Sequence, residues 1–209
     1  GALRLSALVK HKVLFVFTHD SFYVGEDGPT HQPIESISLL RSIPNLLVFR
    51  PADHNEVIGC YREALLYEGP SCMILSRQSL PMLSTTSSEK VKSGGYFIHE
   101  AEDSKVILLA TGSELSLAME VANECSKVSV FSMPCLELFQ QQSEDYQNIL
   151  FGSEQRIFTI EASINKDFLH MCHGSFGVKK FGESAPAGDL KKHFKFTKED
   201  ILLQLQKYI

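Results

Sequence analysis

Three short apolar segments, separated by two segments of helical pattern, most constrain the fold of this chain. The predicted strands are Val13–Thr18, Leu46–Arg50 and Ser71–Ser76. The first is a continuous apolar run, so we expect it to be buried on both faces of a sheet. Helical spacing covers Ile34–Ile43, and Asp53 caps a second predicted helix that ends near Tyr67. This alternation predicts parallel strands joined by right-handed crossovers.

A polar segment separates this series from a second one of the same kind. Residues 83–95 are rich in serine and threonine and end in two glycines, which predicts a linker between a domain at 1–82 and a domain at 96–209. Further strands are predicted at Lys105–Ala110, Lys127–Phe131 and Arg156–Ile160. Helices are expected to begin at Thr111 or Ser113 and at Thr197, where hydroxyl side chains can cap them. The fold class is therefore α/β.

Composition excludes several classes of protein. The chain is 44% hydrophobic and 22% charged with a net charge of −5, and it has no long basic run, so we expect no nucleic-acid partner. It has no apolar stretch long enough for a membrane and no signal peptide. Its five cysteines form no CxxC pair, which favours a reducing, cytoplasmic compartment. The chain lacks an initiator methionine, and we expect a piece of a longer protein.

Polar side chains concentrate where two predicted strands end. The loop Thr18–Pro33 (THDSFYVGEDGPTHQP) follows the first strand, and Arg77 follows the third. Ligands of such sheets bind at the carboxyl ends of the strands, so His19 and Arg77 are expected to share one edge. A guanidinium there suits bidentate phosphate binding, and a salt bridge to a neighbouring carboxylate is the alternative.

Each polar residue of the loop has a functional and a structural interpretation. His19 either donates to an anion or exchanges a proton, or it is a structural histidine bonded to the loop backbone. Asp27 lies near two glycines and either caps the loop or accepts a hydrogen bond from a substrate hydroxyl. His31 precedes a predicted helix, whose N-terminus favours the neutral imidazole for proton relay, and a simple N-terminal cap is the alternative.

Other motifs carry weaker signals. Thr111–Ser113 is similar to an anion-binding turn at a helix start, although capping is the favoured interpretation. His170 and His173 have a possible metal-ligand spacing, but no third ligand is evident, which favours a structural role. The glycine-containing segments Ser175–Gly177 and Phe181–Pro186 receive no function from the sequence.

Several motifs together resemble transketolase, collinearly over essentially the whole chain. Other thiamine diphosphate enzymes, including deoxyxylulose-phosphate synthase, share a related DGxTHxG-like loop. The Thr-His-Asp-Ser start of the loop and the Ser-Arg-Gln that ends the third strand favour transketolase, with dihydroxyacetone synthase as a close relative. The segments that carry the resemblance are the loop Thr18–Pro33, Ser38–Asp53 (SLLRSIPNLLVFRPAD), Leu75–Leu80 (LSRQSL), Leu109–Ser113 (LATGS) and Ser175–Pro186.

The resemblance implies a fold and a reaction. The fold is two three-layer αβα domains, a partial parallel-sheet pyrimidine-binding domain followed by a mixed-sheet C-terminal domain. The reaction moves a two-carbon ketol unit from a ketose phosphate to an aldose phosphate in the pentose phosphate pathway. Thiamine diphosphate supplies the electron sink. By resemblance, His19 and Arg77 bind the sugar phosphate, Asp27 recognises a substrate hydroxyl, and His31 is both substrate-binding and catalytic.

The same resemblance places the cofactor-binding groups upstream of Gly1. These are the GDG…N motif for Mg²⁺, the glutamate that activates the aminopyrimidine, and an aromatic cluster. We therefore expect no cofactor-binding or metal-binding residue in this chain, no bound thiamine diphosphate or Mg²⁺, and no activity of the isolated chain. The family's active site forms between the subunits of a homodimer. The alternative is a non-catalytic module of the same fold that binds sugar phosphates or assembles subunits.

Overall fold

The computed structural model of the protein describes residues 1–152 and 154–209 and confirms the α/β class. Its strands are β1 Leu14–Phe17, β2 Leu47–Phe49, β3 Ser71–Ile74, β4 Tyr96–His99, β5 Val106–Ala110, β6 Val128–Ser132, β7 Arg156–Ile160 and β8 Gly174–Phe176. Its α-helices are α1 Ala2–Leu8, α2 Ser36–Arg41, α3 His54–Leu66, α4 Glu114–Glu124, α5 Leu136–Gln140, α6 Glu144–Phe151, α7 Ala187–His193 and α8 Lys198–Leu205. Short 3₁₀ helices cover Phe22–Asp27 and Lys90–Ser93. We call α1 to β3 the first unit and β4 to α8 the second unit.

The first unit contains a parallel sheet in the order β1-β3-β2. The central strand β3 is buried throughout, as the predicted crossovers require. The edge strand β1 differs from the prediction, because Val16 is 44% exposed and Phe17 41% exposed. As an edge strand, β1 has one neighbour, and Phe17 lines an open groove of about 410 Å³ beside α2. The expectation of burial on both faces is therefore wrong for this strand.

The second unit contains a mixed sheet in the order β4-β6-β5-β7-β8, in which β4 alone among the described strands is antiparallel. The central strands β5 and β6 are completely buried, and the continuous apolar run Val106–Ala110 predicts this. The sequence prediction missed β4 and β8. Both lie at the edges of the sheet, and β8 has three residues, which is too short for a periodic pattern.

Local cap chemistry sets the start of two helices as predicted. Asp53 Oδ1 accepts from the amide of Glu56 at 3.1 Å at the start of α3, and Thr197 Oγ1 accepts from the amide of Asp200 at 3.2 Å at the start of α8. Ser113 occupies the N-cap position of α4, but its hydroxyl donates to Glu114 rather than capping the backbone.

The segment predicted as a linker is an ordered, packed connection. The hydroxyl of Thr86 donates to Asp53 Oδ2 at 2.7 Å, and Val91 is fully buried. The largest hydrophobic cluster contains Phe49 of β2 and Val106 of β5, so the two sheets share a core. Domain boundaries at 82 and 96 stay predictions.

The cysteines are free and largely protected. Cys60, Cys72 and Cys135 are buried, and burial raises the pKa of Cys72 and of Cys172 to about 12. These thiols are therefore protonated at neutral pH. Of the helices in the described residues, none has the length and apolar character needed to cross a bilayer.

Candidate functional site

The ends of two neighbouring strands bring His19 and Arg77 to the same edge of the first sheet. Strands β1 and β3 are parallel neighbours, and Phe17 pairs with Ile74 at their ends. His19 follows β1 and Arg77 follows β3 within a few residues. Both side chains therefore leave the edge at which open parallel sheets bind ligands, as the sequence predicts.

Arg77 is exposed, and in the part of the chain that the structure describes its guanidinium has no ion pair or hydrogen bond. The alternative interpretation, a structural salt bridge to a neighbouring carboxylate, has no counterpart among the described residues. An unpaired guanidinium beside a strand end keeps its donors available for an anion.

His19 and His31 have the same local arrangement. His19 Nδ1 lies 3.0 Å from Thr18 Oγ1, and His31 Nδ1 lies 3.0 Å from Thr30 Oγ1. The partner of His19 is a side chain, so the interpretation of a histidine bonded to the backbone is wrong. Where the threonine hydroxyl donates to Nδ1, the proton of the neutral ring lies on Nε2, which can then donate to a ligand.

The two histidines line one cavity of about 260 Å³. Phe181 of the second unit lines the same cavity and is 71% exposed. Asp27 and Arg77 are not among its lining residues. The structure thus brings His19 and His31 together, and it leaves Asp27 and Arg77 outside this cavity.

Asp27 ends the 3₁₀ helix at a turn that two glycines make possible. Gly25 and Gly28 have φ angles of +84° and +78°, a conformation that residues with a Cβ rarely adopt. The turn is closed by backbone bonds from Gly28 N to Gly25 O at 3.1 Å and from His31 N to Gly28 O at 3.0 Å. The carboxylate of Asp27 is exposed and has no hydrogen bond within the described residues, so Asp27 does not cap the loop.

His31 does not lie at a helix N-terminus. Helix α2 begins at Ser36, and Glu35 occupies its N-cap position. The carbonyl of Ile34 accepts from the amide of Ile164 in the second unit at 2.8 Å, so this residue is held in a contact between units instead of starting the helix. Both helix-based interpretations of His31, the N-terminal cap and the neutral imidazole at a helix N-terminus, are therefore wrong.

A buried arginine supports the strand end that carries His19. Arg50 is completely buried and donates from Nη2 to Asp20 Oδ2 at 2.7 Å and from Nη1 to Glu114. Burial opposes its charge, but the carboxylates of Glu114 and Asp20 outweigh burial and raise the pKa of Arg50. Arg50 Nη1 also donates to the carbonyl of Thr111 at 2.9 Å. The turn Thr111–Ser113, whose similarity to an anion-binding turn the sequence ranked below capping, therefore receives a guanidinium instead.

A second buried pair joins the two units. Arg41 of α2 donates to both carboxylate oxygens of Glu161, at 3.1 and 2.8 Å, and to Asp167 at 3.2 Å. Burial raises the pKa of Glu161, but the guanidiniums of Arg41 and Arg50 outweigh it and lower that pKa to about 2. Helix α2 of the first unit is therefore attached to the second unit through charges that are shielded from solvent.

His170 and His173 have a metal-like spacing, and the contacts of His173 are structural. His173 Nδ1 accepts from the amide of Ile157 at 3.1 Å, and the amide of His173 donates to the carbonyl of Ile157 at 2.8 Å. Across residues 1–152 and 154–209, no three His, Cys, Asp or Glu side chains form a group that could hold a metal ion.

Comparison with known proteins accounts for both units. Residues 1–82 match the family model described as the transketolase pyrimidine binding domain, and residues 94–197 match that of the transketolase-like C-terminal domain. The chain belongs to the transketolase family. This confirms the resemblance read from the sequence motifs.

Individual transketolases are similar over the full length of the chain. Transketolase 1 of Candida albicans is 42% identical over 214 residues, which cover 100% of this chain and 32% of that protein. The structure of the Leishmania mexicana transketolase has a TM-score of 0.96 at 40% identity and covers 100% of this chain and 32% of its own. A Pichia stipitis transketolase in complex with sedoheptulose-7-phosphate has a TM-score of 0.93 at 38% identity, with the same coverage. The chain thus spans 32% of the length of the first curated transketolases it matches.

Sequence reasoning missed three residues around this transketolase-family site. Arg50 follows an apolar strand, as Arg77 does. This position indicates a cation that is either buried or directed at a ligand, so the sequence contained a signal for Arg50. Gln32 lies inside the polar loop, but its type suggests no chemistry. Phe181 lies beside Gly182 in a glycine-containing segment. This segment contacts the polar loop across a large sequence separation, which is 151 positions for the hydrogen bond between Gln32 and Glu183. No local pattern around Phe181 indicates that contact.

Proposed function

We propose that this chain is part of a transketolase that transfers a two-carbon ketol unit from a ketose phosphate to an aldose phosphate in the pentose phosphate pathway. The observation that carries the proposal is that Arg77, exposed and without an ion pair among the described residues, follows the strand next to the one that His19 follows, at the ligand-binding edge of the sheet. The Pichia stipitis relative, named as a complex with sedoheptulose-7-phosphate, supports a phosphorylated sugar as the ligand.

The chemistry of each exposed side chain gives it a different role in binding the substrate. Arg77 and His19 bind the phosphate with charge-assisted and neutral donors. Asp27, whose carboxylate has no partner in the described part of the chain, accepts a hydrogen bond from a substrate hydroxyl. His31 uses Nε2 for hydrogen bonding and proton transfer, because its Nδ1 is already in contact with Thr30.

We further propose that thiamine diphosphate and Mg²⁺ are held outside this chain in a homodimeric enzyme. The described residues do not fit the metal, since no group of three suitable ligands is present among them and buried carboxylates such as Glu161 are bonded to arginine. On this proposal the isolated chain is inactive and does not hold the cofactor. The free cysteines support a reducing compartment, for which we propose the cytoplasm.

Replacement of Arg77 tests the phosphate role. In the full-length enzyme, Arg77→Ala removes a charge-assisted contact worth roughly 1.5–3 kcal/mol, so kcat/KM for a ketose phosphate should fall by about 10- to 100-fold, mainly through KM. The kcat/KM for hydroxypyruvate, an unphosphorylated donor, measured with an unphosphorylated aldehyde as acceptor, should change by less than about twofold.

Arg156→Ala is the matched control, because Arg156 is also an exposed arginine but begins β7 in the second unit. This variant should leave both donors unchanged. An equal loss on the phosphorylated and the unphosphorylated donor in Arg77→Ala would contradict the phosphate role. Absence of ketol transfer by the unmodified full-length enzyme would contradict the proposed function as a whole and favour the non-catalytic module.

A further inference from the structure

The turn that carries Asp27 is built against the second unit. The hydroxyl of Ser184 donates to the carbonyl of Glu26 at 2.6 Å. A Cβ placed on Gly25 would lie 3.6 Å from the carbonyl oxygen of Ala185, so the two segments approach to about the width of one methyl group. The ring of Phe22, at the start of the same 3₁₀ helix, packs against Phe194 with centroids 4.9 Å apart. The segment Gly182–Ala187 therefore forms the surface on which the turn rests.

Gln32 connects this surface to the turn with one side chain. It is 3% exposed, and its Nε2 donates to the carbonyl of Gly25 at 2.8 Å and to that of Glu183 at 2.9 Å. Because both partners are carbonyl oxygens, the amide nitrogen must face them. A single buried amide thus fixes the distance between the start of the turn and the second unit.

Gly182 packs so closely against this amide that position 182 has no room for a side chain while Gln32 keeps its place. A Cβ placed on Gly182 would lie 1.6 Å from Gln32 Oε1, far inside van der Waals contact. Gln32 Oε1 is buried and has no hydrogen-bond partner among the described residues, so the side chain is held by its two donated bonds and by packing. Replacing the amide by an apolar group of the same length removes both of these bonds.

We propose that Gln32 is a positioning residue for Asp27 and that the second unit, through Gly182–Ala187, sets the selectivity of the substrate site. The carboxylate of Asp27 has no hydrogen bond of its own in the described chain, so the backbone of the turn is what sets the position from which this side chain extends and the rotamers open to it. Gln32 and Ser184 hold that backbone at the carbonyls of Gly25 and Glu26, the two residues that precede Asp27. The inference rests on the proposed function, in which Asp27 recognises a substrate hydroxyl.

Kinetics of the full-length enzyme test the proposal with a matched pair of variants. Gln32→Met keeps the length of the side chain and removes both donated bonds. Gln147→Met is the control, because Gln147 Nε2 also donates to two backbone carbonyls, those of Gln140 and Gln142, but lies on α6. The readout is the ratio of kcat/KM for xylulose 5-phosphate to that for hydroxypyruvate, which keeps the hydroxyl at C1 but lacks those at C3 and C4. Gln32→Met should lower this ratio by about tenfold, since displacement by about 1 Å can cost up to 10²-fold.

A double-variant cycle separates positioning from general structural damage. If Gln32 acts through Asp27, adding Gln32→Met to Asp27→Ala should lower the ratio by no more than about twofold, because coupled residues are non-additive. An additive loss, or an equal loss on both donors, would overturn the proposal. Ser184→Ala removes one exposed bond and is the milder variant should Gln32→Met fold poorly. Ser184→Ala should also lower the ratio of the two kcat/KM values, by less than Gln32→Met does.

Hydrogen exchange tests the positioning without any turnover. The amides of Gly28 and His31 donate within the turn, so their exchange reports its order. We expect exchange about tenfold faster in Gln32→Met and unchanged in Gln147→Met. Unchanged exchange in both variants would overturn the positioning role. Faster exchange with no effect of Asp27→Ala on the ratio would instead refute the role of Asp27 in the proposed function and leave Gln32 as a brace of the turn alone.

Discussion

The buried carboxylate of Glu161 gives a stability prediction whose size follows from the structure. Glu161→Gln keeps the shape of the side chain but removes the charge that faces Arg41 and Arg50. The pKa of Glu161 lies at about 2 instead of its ordinary 4.5, and at 1.36 kcal/mol per pKa unit this corresponds to about 3 kcal/mol. Loss of one partner from a buried ion pair costs about 3–5 kcal/mol in other proteins. We therefore expect Glu161→Gln to lower the free energy of unfolding by about 3 kcal/mol at pH 7.

The pH dependence of this difference has a definite sign. Because the folded pKa of Glu161 is lowered, its contribution is complete above the unfolded value of 4.5 and is lost as the pH falls toward 2. Burial raises the pKa of Glu56 and of Glu137, which acts in the opposite direction. Glu56 and Glu137 are present in the unmodified protein and in Glu161→Gln. To first approximation, their contributions therefore cancel in the difference between the two free energies of unfolding.

Urea unfolding followed by circular dichroism between pH 7 and pH 3 measures the effect. The gap between the two proteins should be constant down to about pH 5.5 and narrow below about pH 4.5. Glu68→Gln is the control, because Glu68 is 85% exposed and pairs with Lys12 at the surface. It should cost at most about 1 kcal/mol. A gap for Glu161→Gln below about 1 kcal/mol, or one that persists unchanged to pH 3, would refute the reasoning.

Three further predictions concern the cofactor, the second buried arginine and the thiols. Isothermal titration calorimetry of the isolated chain with thiamine diphosphate and Mg²⁺ should show no binding, and micromolar affinity would contradict the placement of the cofactor outside the chain. Arg50→Met leaves the carboxylates of Asp20 and Glu114 buried without their cation, so urea unfolding at pH 7 should show a loss of about 3–5 kcal/mol. A loss below about 1 kcal/mol would mean that the two carboxylates are compensated in another way. Cys72 is buried with a pKa of about 12, so it should resist a thiol reagent at pH 8 until the chain is unfolded in urea; rapid labelling of native Cys72 would show that the strand opens.

Local chemistry explains which parts of the fold could be predicted from the sequence. The apolar run at β5 and the caps at Asp53 and Thr197 depend on neighbouring residues, and the structure has them where the sequence predicts them. The strands β4 and β8 and the start of α2 depend on contacts with distant segments. The carbonyl of Ile34, for example, bonds the amide of Ile164, and no periodicity in residues 34–43 records that contact.

The same distinction applies to the site. His19 and Arg77 could be placed at one edge because the alternation of strands and helices fixes the direction of the strands. Arg50 and Arg77 follow apolar strands in the same way, yet one is fully buried and the other exposed. The difference arises from Glu114, which is 64 positions from Arg50 along the chain. A pattern within a short window contains no information about such a partner.

The buried charges between the units have a consequence for the exchange of segments among homologues. Both cations, Arg41 and Arg50, come from the first unit, and the carboxylates of Glu161 and Glu114 that they meet come from the second. A chimera joins the first unit of one homologue to the second unit of another. Its buried charges are paired only if the first unit supplies the two arginines and the second unit supplies the two carboxylates. Recombination within the connecting segment is therefore tolerated between parents that share these four residues and disfavoured between parents that do not, whatever the similarity of their surfaces.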